Sequence, residues 1–184
     1  MTPTNTQTHK HTHTMRTIIT KVYTFEELSE DAKENALENL RGTPIDHGWW
    51  DSTYEDAERI GLRITSFELD RNRHAKGEFI QSAYDCAKAI IKEHGEGCET
   101  YKTAKAFIEE RKELEDKLTP EDETNPFNET VSDIEELDEQ FLVDLLEDYS
   151  ILLQNEFEYM HSDEYISEMI EANSYEFTED GTPI

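Results

Sequence analysis

The segment 24–41 (TFEELSEDAKENALENLR) alternates apolar and polar positions with the period of an α-helix. Its apolar side chains recur three or four residues apart, and they are Leu28, Ala32, Ala36 and Leu40. Thr24 followed by Glu27 fits a capping box, and Ser29 offers a second helix start. The preceding stretch 17–23 (TIITKVY) is rich in β-branched and aromatic residues, which indicates a strand. The pattern therefore predicts a strand followed by a helix.

Five further elements are predicted up to residue 118 from the periodicity and from the turn residues between them. They are a helix over 49–60, strands over 62–69 and 77–80, and helices over 82–94 and 99–118. The two strands are close enough in sequence to pair as a hairpin. A basic cluster at 71–76 lies between them, and it is either a solvated turn or a contact for acidic residues in a dimer. This order predicts an α+β fold with a small antiparallel sheet covered by helices.

The longest periodic run, 131–160, follows a stretch with two prolines and four acids at 119–130. We expect the run to form a long acidic amphipathic helix in the C-terminal third, and the stretch before it to form a loop. A wide apolar stripe predicts packing either within the chain or across a dimer. The stripe includes Leu137, Phe141, Leu145 and Tyr149. A further helix through Ala172 and a short strand over 174–184, joining the sheet, complete the prediction.

Composition divides the chain into four parts: an arm over 1–14, an α+β region over 15–118, an acidic loop over 119–130, and an acidic helical region with a short terminal strand over 131–184. The arm is rich in Thr and His and has no apolar residue after Met1, so we expect it to be flexible. Three alternating histidines there offer a weak metal chelate, although a solvated arm is the simpler interpretation: His9, His11 and His13. Met15 is an alternative translation start.

The 184 residues hold 44 Asp and Glu against 17 Lys and Arg, which gives a formal net charge of −27. Residues 1–92 hold 15 acids and 12 bases, whereas residues 93–184 hold 29 acids and 5 bases. From Leu118 onward the sequence has no Lys or Arg. Such a chain does not attract DNA or an anionic membrane, because phosphate contacts need Lys and Arg. Its expected partners are basic protein surfaces.

The predicted helix 131–160 is about 45 Å long at 1.5 Å per residue, and it carries ten acids. Their mean spacing of about 4.5 Å approaches the ~3.4 Å between phosphates along one DNA strand. We therefore expect an acidic surface that imitates a nucleic-acid backbone and occupies the nucleic-acid channel of a basic protein. The competing interpretation is that these acids serve only solubility. The expected contact residues are Asp133, Glu135, Glu136, Asp138, Glu139, Asp144, Glu147 and Asp148.

No phosphate-binding, zinc-binding, hydrolase or EF-hand motif occurs in the sequence. The two cysteines, Cys86 and Cys98, do not build a disulfide framework, which favours a reducing cytosol. Cys86 with His94 or His74 is a conceivable nucleophile and base, but its place on an apolar helix face favours a buried structural thiol. No catalytic residue, metal site or cofactor is therefore predicted. The absence of these motifs leads us to expect that the protein is not an enzyme. We also expect it to be soluble and intracellular, since no apolar run reaches the length of a membrane span.

Two stretches, RTIITKVYTFEELSEDAKENALENLR and WWDSTYEDAERIGLRITSFELDR, share an order of elements with a known group of proteins. Over roughly residues 15–70 they resemble small phage and prophage proteins labelled antitoxins of toxin–antitoxin stability systems. Those proteins have a strand, an FEELSE-type helix, a Trp-containing acidic helix and a second strand. Their Gly-Asp-Gly-rich stretch is replaced here by RNRHAKGEFI. The resemblance implies a phage origin and supplies no catalytic residues.

The resemblance and the charge together favour a phage-encoded anti-defence protein of the anti-CRISPR or anti-restriction type. It would bind and inhibit a basic nucleic-acid-handling nuclease in the cytoplasm of the bacterial host, as an acidic nucleic-acid mimic. The alternative is an antitoxin-like protein that neutralises a cognate toxin by direct binding, without imitating nucleic acid. Under the first hypothesis, reversing the charge of the acidic residues should abolish inhibition. Under the second, truncating an apolar surface anchor should weaken binding more than charge reversal does. An enzyme of unknown class is the third.

Overall fold

The computed structural model describes residues 19, 21–43, 45, 47–118 and 129–184. These residues form six α-helices, a short 3-10 helix and one two-stranded antiparallel sheet, so the predicted α+β class with a long C-terminal helix is confirmed. The elements are the 3-10 helix Phe25–Glu27, α1 Glu30–Arg41, α2 Asp51–Arg59, β1 Leu62–Glu68, β2 His74–Phe79, α3 Ala83–Glu93, α4 Glu99–Glu115, α5 Glu129–Met160 and α6 Asp163–Asn173. The arm 1–14, residues 17, 18 and 20 of the predicted strand 17–23, and most of the predicted loop 119–130 lie outside the described residues. The described part of 17–23 forms an isolated bridge at Tyr23 and no strand, so that prediction is wrong for these residues.

The chain folds into two compact units, one continuous in sequence and one made of two separate segments. The larger unit is Thr43–Ile166, and the smaller unit joins the described residues up to Gly42 with Ser167–Ile184. The division predicted near residues 119–130 follows the charge along the chain. The compact units instead follow which segments pack together.

The smaller unit begins with the capping pattern that the sequence predicts. The Glu27 carboxylate accepts hydrogen bonds from the Thr24 backbone N–H at 2.9 Å and from its hydroxyl at 3.1 Å. Ser29 then caps α1, because its Oγ accepts a hydrogen bond from the Ala32 N–H at 3.3 Å. These bonds satisfy donors that helix starts leave without a partner.

The C-terminal tail pairs with the residues before α1 and not with β1 or β2. Tyr23 and Phe177 exchange two backbone hydrogen bonds of 2.9 Å, and Phe177 forms a second isolated bridge with Pro183. Gly181 turns the tail at φ +85°, and a Cβ there would lie 2.0 Å from the Ala32 carbonyl oxygen. The prediction of a terminal strand joining the sheet is therefore wrong, because the tail forms isolated bridges with Tyr23 and within itself, and the sheet has only the strands β1 and β2 among the described residues.

The larger unit contains the β1–β2 hairpin, whose register runs from Leu62 opposite Phe79 to Glu68 opposite His74. An irregularity between Ile64 and Ser66 interrupts the pairing. The second strand begins at His74, three residues before the predicted start, so half of the basic cluster belongs to the ladder. The polar side chains at the start of β2 do not show the apolar alternation of a strand. One face of a small antiparallel sheet is solvated and accepts such residues.

Helices α4 and α5 run antiparallel, since Thr103 contacts Asp148 and Arg111 contacts Asp138. Helix α5 also packs on β2 and places Phe141 in the core of the larger unit. Its ring stacks on that of Phe107, with centroids 4.2 Å apart and planes 14° apart. The predicted stripe lies in this core: Phe141, Leu145 and Tyr149 are buried, and Leu137 is partly buried.

Candidate functional site

Four of the eight predicted contact carboxylates stand exposed within two turns of α5. Asp133, Glu135, Glu136 and Glu139 make no hydrogen bond or ion pair with any residue that the structure describes. A fifth, Asp144, is exposed and accepts a hydrogen bond from the Gln140 side chain at 2.7 Å. The first half of α5 therefore presents uncompensated negative charge to solvent.

The other three carboxylates are used inside the larger unit. Asp138 pairs with Arg111 of α4, and Glu147 pairs with Arg73 of the turn between β1 and β2. Asp148 is half-buried and accepts a hydrogen bond from the Thr103 hydroxyl at 2.7 Å. Their partners are distant in sequence, so the spacing of residues along one helix does not predict these contacts. The basic cluster 71–76 thus meets an acid of its own chain through Arg73.

A wide groove of about 690 Å³ lies between the last turns of α4 and the first half of α5. Its charged lining residues are all acids, and they are Glu110, Asp133, Glu136 and Glu139. Leu114, Leu137 and Val143 supply its apolar part, with Gln140 beside them. Val143 is 58% exposed, so its side chain is available for contact with a partner. The groove therefore combines an acidic rim with apolar contact area.

A second concavity of about 490 Å³ continues the first along the same two helices. The two share Glu110, Leu137 and Gln140. It adds Asp144, Glu147 and Asp148, together with Lys102. We call these two concavities together the acidic groove.

A third concavity of about 390 Å³, which we call the His94 cavity, shares Asp148 with the acidic groove. It lies where α5 passes the turn between α3 and α4, and Asp56 of α2 reaches it. From Asp133 to Asn155 the three concavities follow α5 for about 33 Å at 1.5 Å per residue. Among the described residues that line them, ten are acids and Lys102 is the one Lys or Arg.

A chain of polar contacts forms one wall of the His94 cavity. The Tyr149 hydroxyl donates to Asp56 Oδ2 at 2.9 Å, and His94 Nε2 lies 3.5 Å from the same oxygen. His94 Nδ1 lies 2.8 Å from the hydroxyl oxygen of the buried Thr100. The His94 side chain is 10% exposed, and its Nε2 is buried without a hydrogen-bond partner.

Burial controls the ionisation of two groups near this wall. Burial raises the pKa of the Asp148 carboxyl, the Thr103 hydrogen bond opposes that rise, and nearby carboxylates led by Glu99 add to it. Burial, followed by the charge of Asp56, raises the pKa of the Tyr149 phenol far above its usual range. Tyr149 therefore stays a neutral hydrogen-bond donor, whereas Asp148 is a carboxylate held in unfavourable surroundings.

The cysteines do not form the nucleophile and base pair considered from sequence. Cys86 is buried in the core, and burial raises the pKa of its thiol to about 12. His94 instead contacts Asp56 and Thr100, and His74 Nδ1 lies 2.7 Å from the Asn72 carbonyl oxygen. A thiol that stays protonated at neutral pH is a poor nucleophile, which favours the structural interpretation of Cys86.

The described residues include neither a cluster that could hold a metal ion nor a helix that could cross a membrane. They contain no group of three or more His, Cys, Asp or Glu placed to hold a metal ion. None of the helices described has the length and apolar content that a bilayer crossing requires. The histidines of the arm 1–14 lie outside these residues.

No family model matches the chain, and no curated protein or solved structure matches it either.

Proposed function

We propose that the protein binds and inhibits a basic nucleic-acid-handling nuclease, acting as an acidic mimic of nucleic acid. The single observation that carries this proposal is the set of exposed, uncompensated carboxylates on α5: Asp133, Glu135, Glu136 and Glu139. Under this proposal the protein is a phage-encoded anti-defence protein of the anti-CRISPR or anti-restriction type. The proposal involves stoichiometric binding and no catalytic step.

The spacing of these four charges supports the imitation of a backbone. Residues 133 and 139 lie about 9 Å apart along a helix that rises 1.5 Å per residue. Measured along the helix axis, these four carboxylates have a mean spacing of about 3 Å, close to the ~3.4 Å per phosphate along one DNA strand. A surface shaped to bind a phosphate backbone therefore meets a similar linear charge density here.

The apolar lining of the acidic groove supplies contact area that charge alone lacks. Exposed charges accelerate encounter but contribute little affinity individually. Leu114, Leu137 and Val143 add apolar area beside the acidic rim. When a partner covers such apolar residues and excludes water from them, their contacts contribute most of the binding free energy in protein interfaces. The combination favours a folded basic protein as the partner.

The second candidate is an antitoxin-like protein that neutralises a cognate toxin without imitating nucleic acid. The exposed aliphatic residues Val143 and Leu152 on α5, 58% and 46% exposed, favour it. Under this function binding depends on apolar anchors and changes little with salt. Under the first function binding weakens steeply as salt rises.

The test begins with a pull-down from a bacterial lysate and identification of the captured protein by mass spectrometry. The purified partner is then assayed with a variant that carries D133K, E135K, E136K and E139K. A matched control carries E34K, E55K, E58K and D70K, which change the net charge equally at exposed acids elsewhere. We expect the first variant to lose binding at least 100-fold and the control to stay within about threefold.

The imitation of nucleic acid is tested on the same partner. Excess DNA or RNA is expected to displace the protein, and the protein is expected to inhibit the partner's nuclease activity in a one-to-one titration. If the partner binds the α5 variant as tightly as wild type, or if nucleic acid and protein bind together, the mimic hypothesis is wrong. Wild-type binding that changes little with salt, together with loss of binding in V143D, would instead support the antitoxin-like function.

A further inference from the structure

The two walls of the acidic groove are antiparallel helices whose relative register is fixed by two contacts. Thr103 of α4 bonds to Asp148 of α5, and Arg111 bonds to Asp138. Each step forward along α4 therefore corresponds to one step back along α5. Counted from either contact, Ala106 lies level with residues 143–145, and Leu114 lies level with residues 135–137.

The groove consequently has two apolar layers with a polar layer between them. Leu114 and Leu137 form the first apolar layer, and Ala106 and Val143 form the second. Glu110 and Gln140 line both concavities and lie between these layers. The layers are about 12 Å apart along α4 and about 9 Å apart along α5, at 1.5 Å per residue. Ala106 and Val143 are both exposed, so the second layer is open to a partner.

This spacing fits a third α-helix lying along the groove. Residues i and i+7 of a helix share one face and lie about 10.5 Å apart, between the two layer distances. Residues i+3 and i+4 lie between them and would face Glu110 and Gln140. A strand repeats the same face at about 6.6 Å and 13 Å, so it does not match the layers. The small side chain of Ala106 also permits the close approach of a helix, since packed helix axes lie about 8–10 Å apart.

The charge of the groove selects a basic occupant. Glu110, in the polar layer, forms no ion pair with any residue that the structure describes. Lys102, the one base in the described lining, already pairs with Glu99. A second copy of this chain would bring another net charge of −27 and is disfavoured by repulsion.

We infer that the acidic groove binds an amphipathic basic α-helix of the partner protein. Aliphatic side chains at positions i and i+7 of that helix contact the two apolar layers, and an Arg or Lys at i+3 or i+4 faces Glu110. Helices commonly bind in grooves through anchors with this periodicity. The inference rests on the proposed function, since that function supplies a basic partner.

Two synthetic basic peptides of identical composition and charge test this inference on the isolated protein. The matched peptide has two leucines seven positions apart with an arginine midway, and the control peptide has them five positions apart, on different helix faces. Fluorescence anisotropy measures binding, and the Val143 methyl resonances in NMR spectra locate it. We expect the matched peptide to bind at least about tenfold more tightly. Equal affinities, or unchanged Val143 resonances, would overturn the inference.

Two tryptophan variants test whether the peptide occupies the groove. A106W fills the second layer, whereas A172W places the same side chain at an exposed alanine of α6 that does not line the groove. With both variants shown to be folded by circular dichroism, A106W should weaken binding of the matched peptide at least about tenfold. A172W should leave it within about twofold. Undiminished binding to A106W would overturn the inference.

Sedimentation of the wild-type protein tests the competing occupant, a second copy of this chain. We expect a monomer, and a dimer that A106W dissociates would assign the groove to that copy and overturn the inference. The peptide titrations need no nuclease. A captured nuclease that nucleic acid displaces would support the proposed function even if the two peptides bind equally, so the two proposals can fail separately.

Discussion

Tyr149 of α5 donates a 2.9 Å hydrogen bond to Asp56 of α2, across 93 positions of sequence. The phenol is buried, so the bond joins the long helix to α2 at the edge of the core. We predict that Y149F lowers the free energy of unfolding by about 1–2 kcal/mol, since a hydrogen bond to a charged acceptor is lost. Urea denaturation measures this cost. The control Y101F should change it by less than about 0.5 kcal/mol, because the Tyr101 hydroxyl bonds to no described residue; equal losses would contradict the assignment.

Phe141 is the centre of an aromatic stack in the larger unit. Its ring packs on Phe107 and lies 5.7 Å from that of Phe79. We expect F141A to cost about 3–5 kcal/mol, because it removes a buried ring and leaves a cavity. Equilibrium denaturation measures the loss. V143A, on an exposed position of the same helix, should cost less than about 0.5 kcal/mol; a loss below 1 kcal/mol in F141A would show that the stack is not the core.

The raised pKa of Asp148 predicts a pH-dependent effect of D148N. Because the folded-state pKa lies above the unfolded one, the ionised carboxyl destabilises the fold at neutral pH. That penalty disappears as pH falls through the folded pKa toward the ordinary value. D148N should therefore be more stable than wild type at pH 7, by less than about 1 kcal/mol for a solvent-screened charge. The difference should shrink toward pH 4.

Thermal unfolding of both proteins between pH 4 and pH 7 measures that difference. D144N provides the control, since Asp144 is exposed on the same helix. A D148N variant that is less stable than wild type at pH 7 would mean that the Thr103 hydrogen bond outweighs burial.

The two cysteines should react at very different rates. Burial raises the pKa of Cys86 to about 12, whereas Cys98 is exposed just before α4. At pH 8 we expect iodoacetamide to modify Cys98 at least about 100-fold faster, because the thiolate is the reactive form. Mass spectrometry counts the modified sites. The variant C98S should remain unmodified until urea is added, and prompt modification of C98S would show that Cys86 is accessible.

Local periodicity was sufficient to predict the six α-helices among the described residues, although α1 begins at Glu30 and not at the Thr24 cap. The apolar spacing of α1 and α5 and the Ser29 cap are properties of neighbouring residues, and they persist in the folded chain. The extent of β2 was not predictable in this way, because its polar residues become a strand only when they pair with β1. The pairing of the C-terminal tail was not predictable for the same reason, since its bridge partner Tyr23 is distant in sequence.

The candidate site shows the same limit more sharply. The exposure of Asp133, Glu135 and Glu136 follows from their place on the polar face of α5. The partners of Asp138 and Glu147 come from distant segments, so their neutralisation required the fold. The His94 cavity combines α2, the turn after α3 and α5, and no spacing in the sequence indicates that Asp56 and His94 meet.

The bridge between Tyr23 and Phe177 has a consequence for synthesis of the protein. The residues up to Gly42 leave the ribosome long before Ser167–Ile184, the segment with which they form the smaller unit. The larger unit, Thr43–Ile166, lies wholly between them, so all of its residues are synthesised before the second part of the smaller unit. The acidic groove can therefore form on the nascent chain while the smaller unit waits for the last residues. A ribosome that stops early would release a chain with its binding surface present and its first helix without a partner.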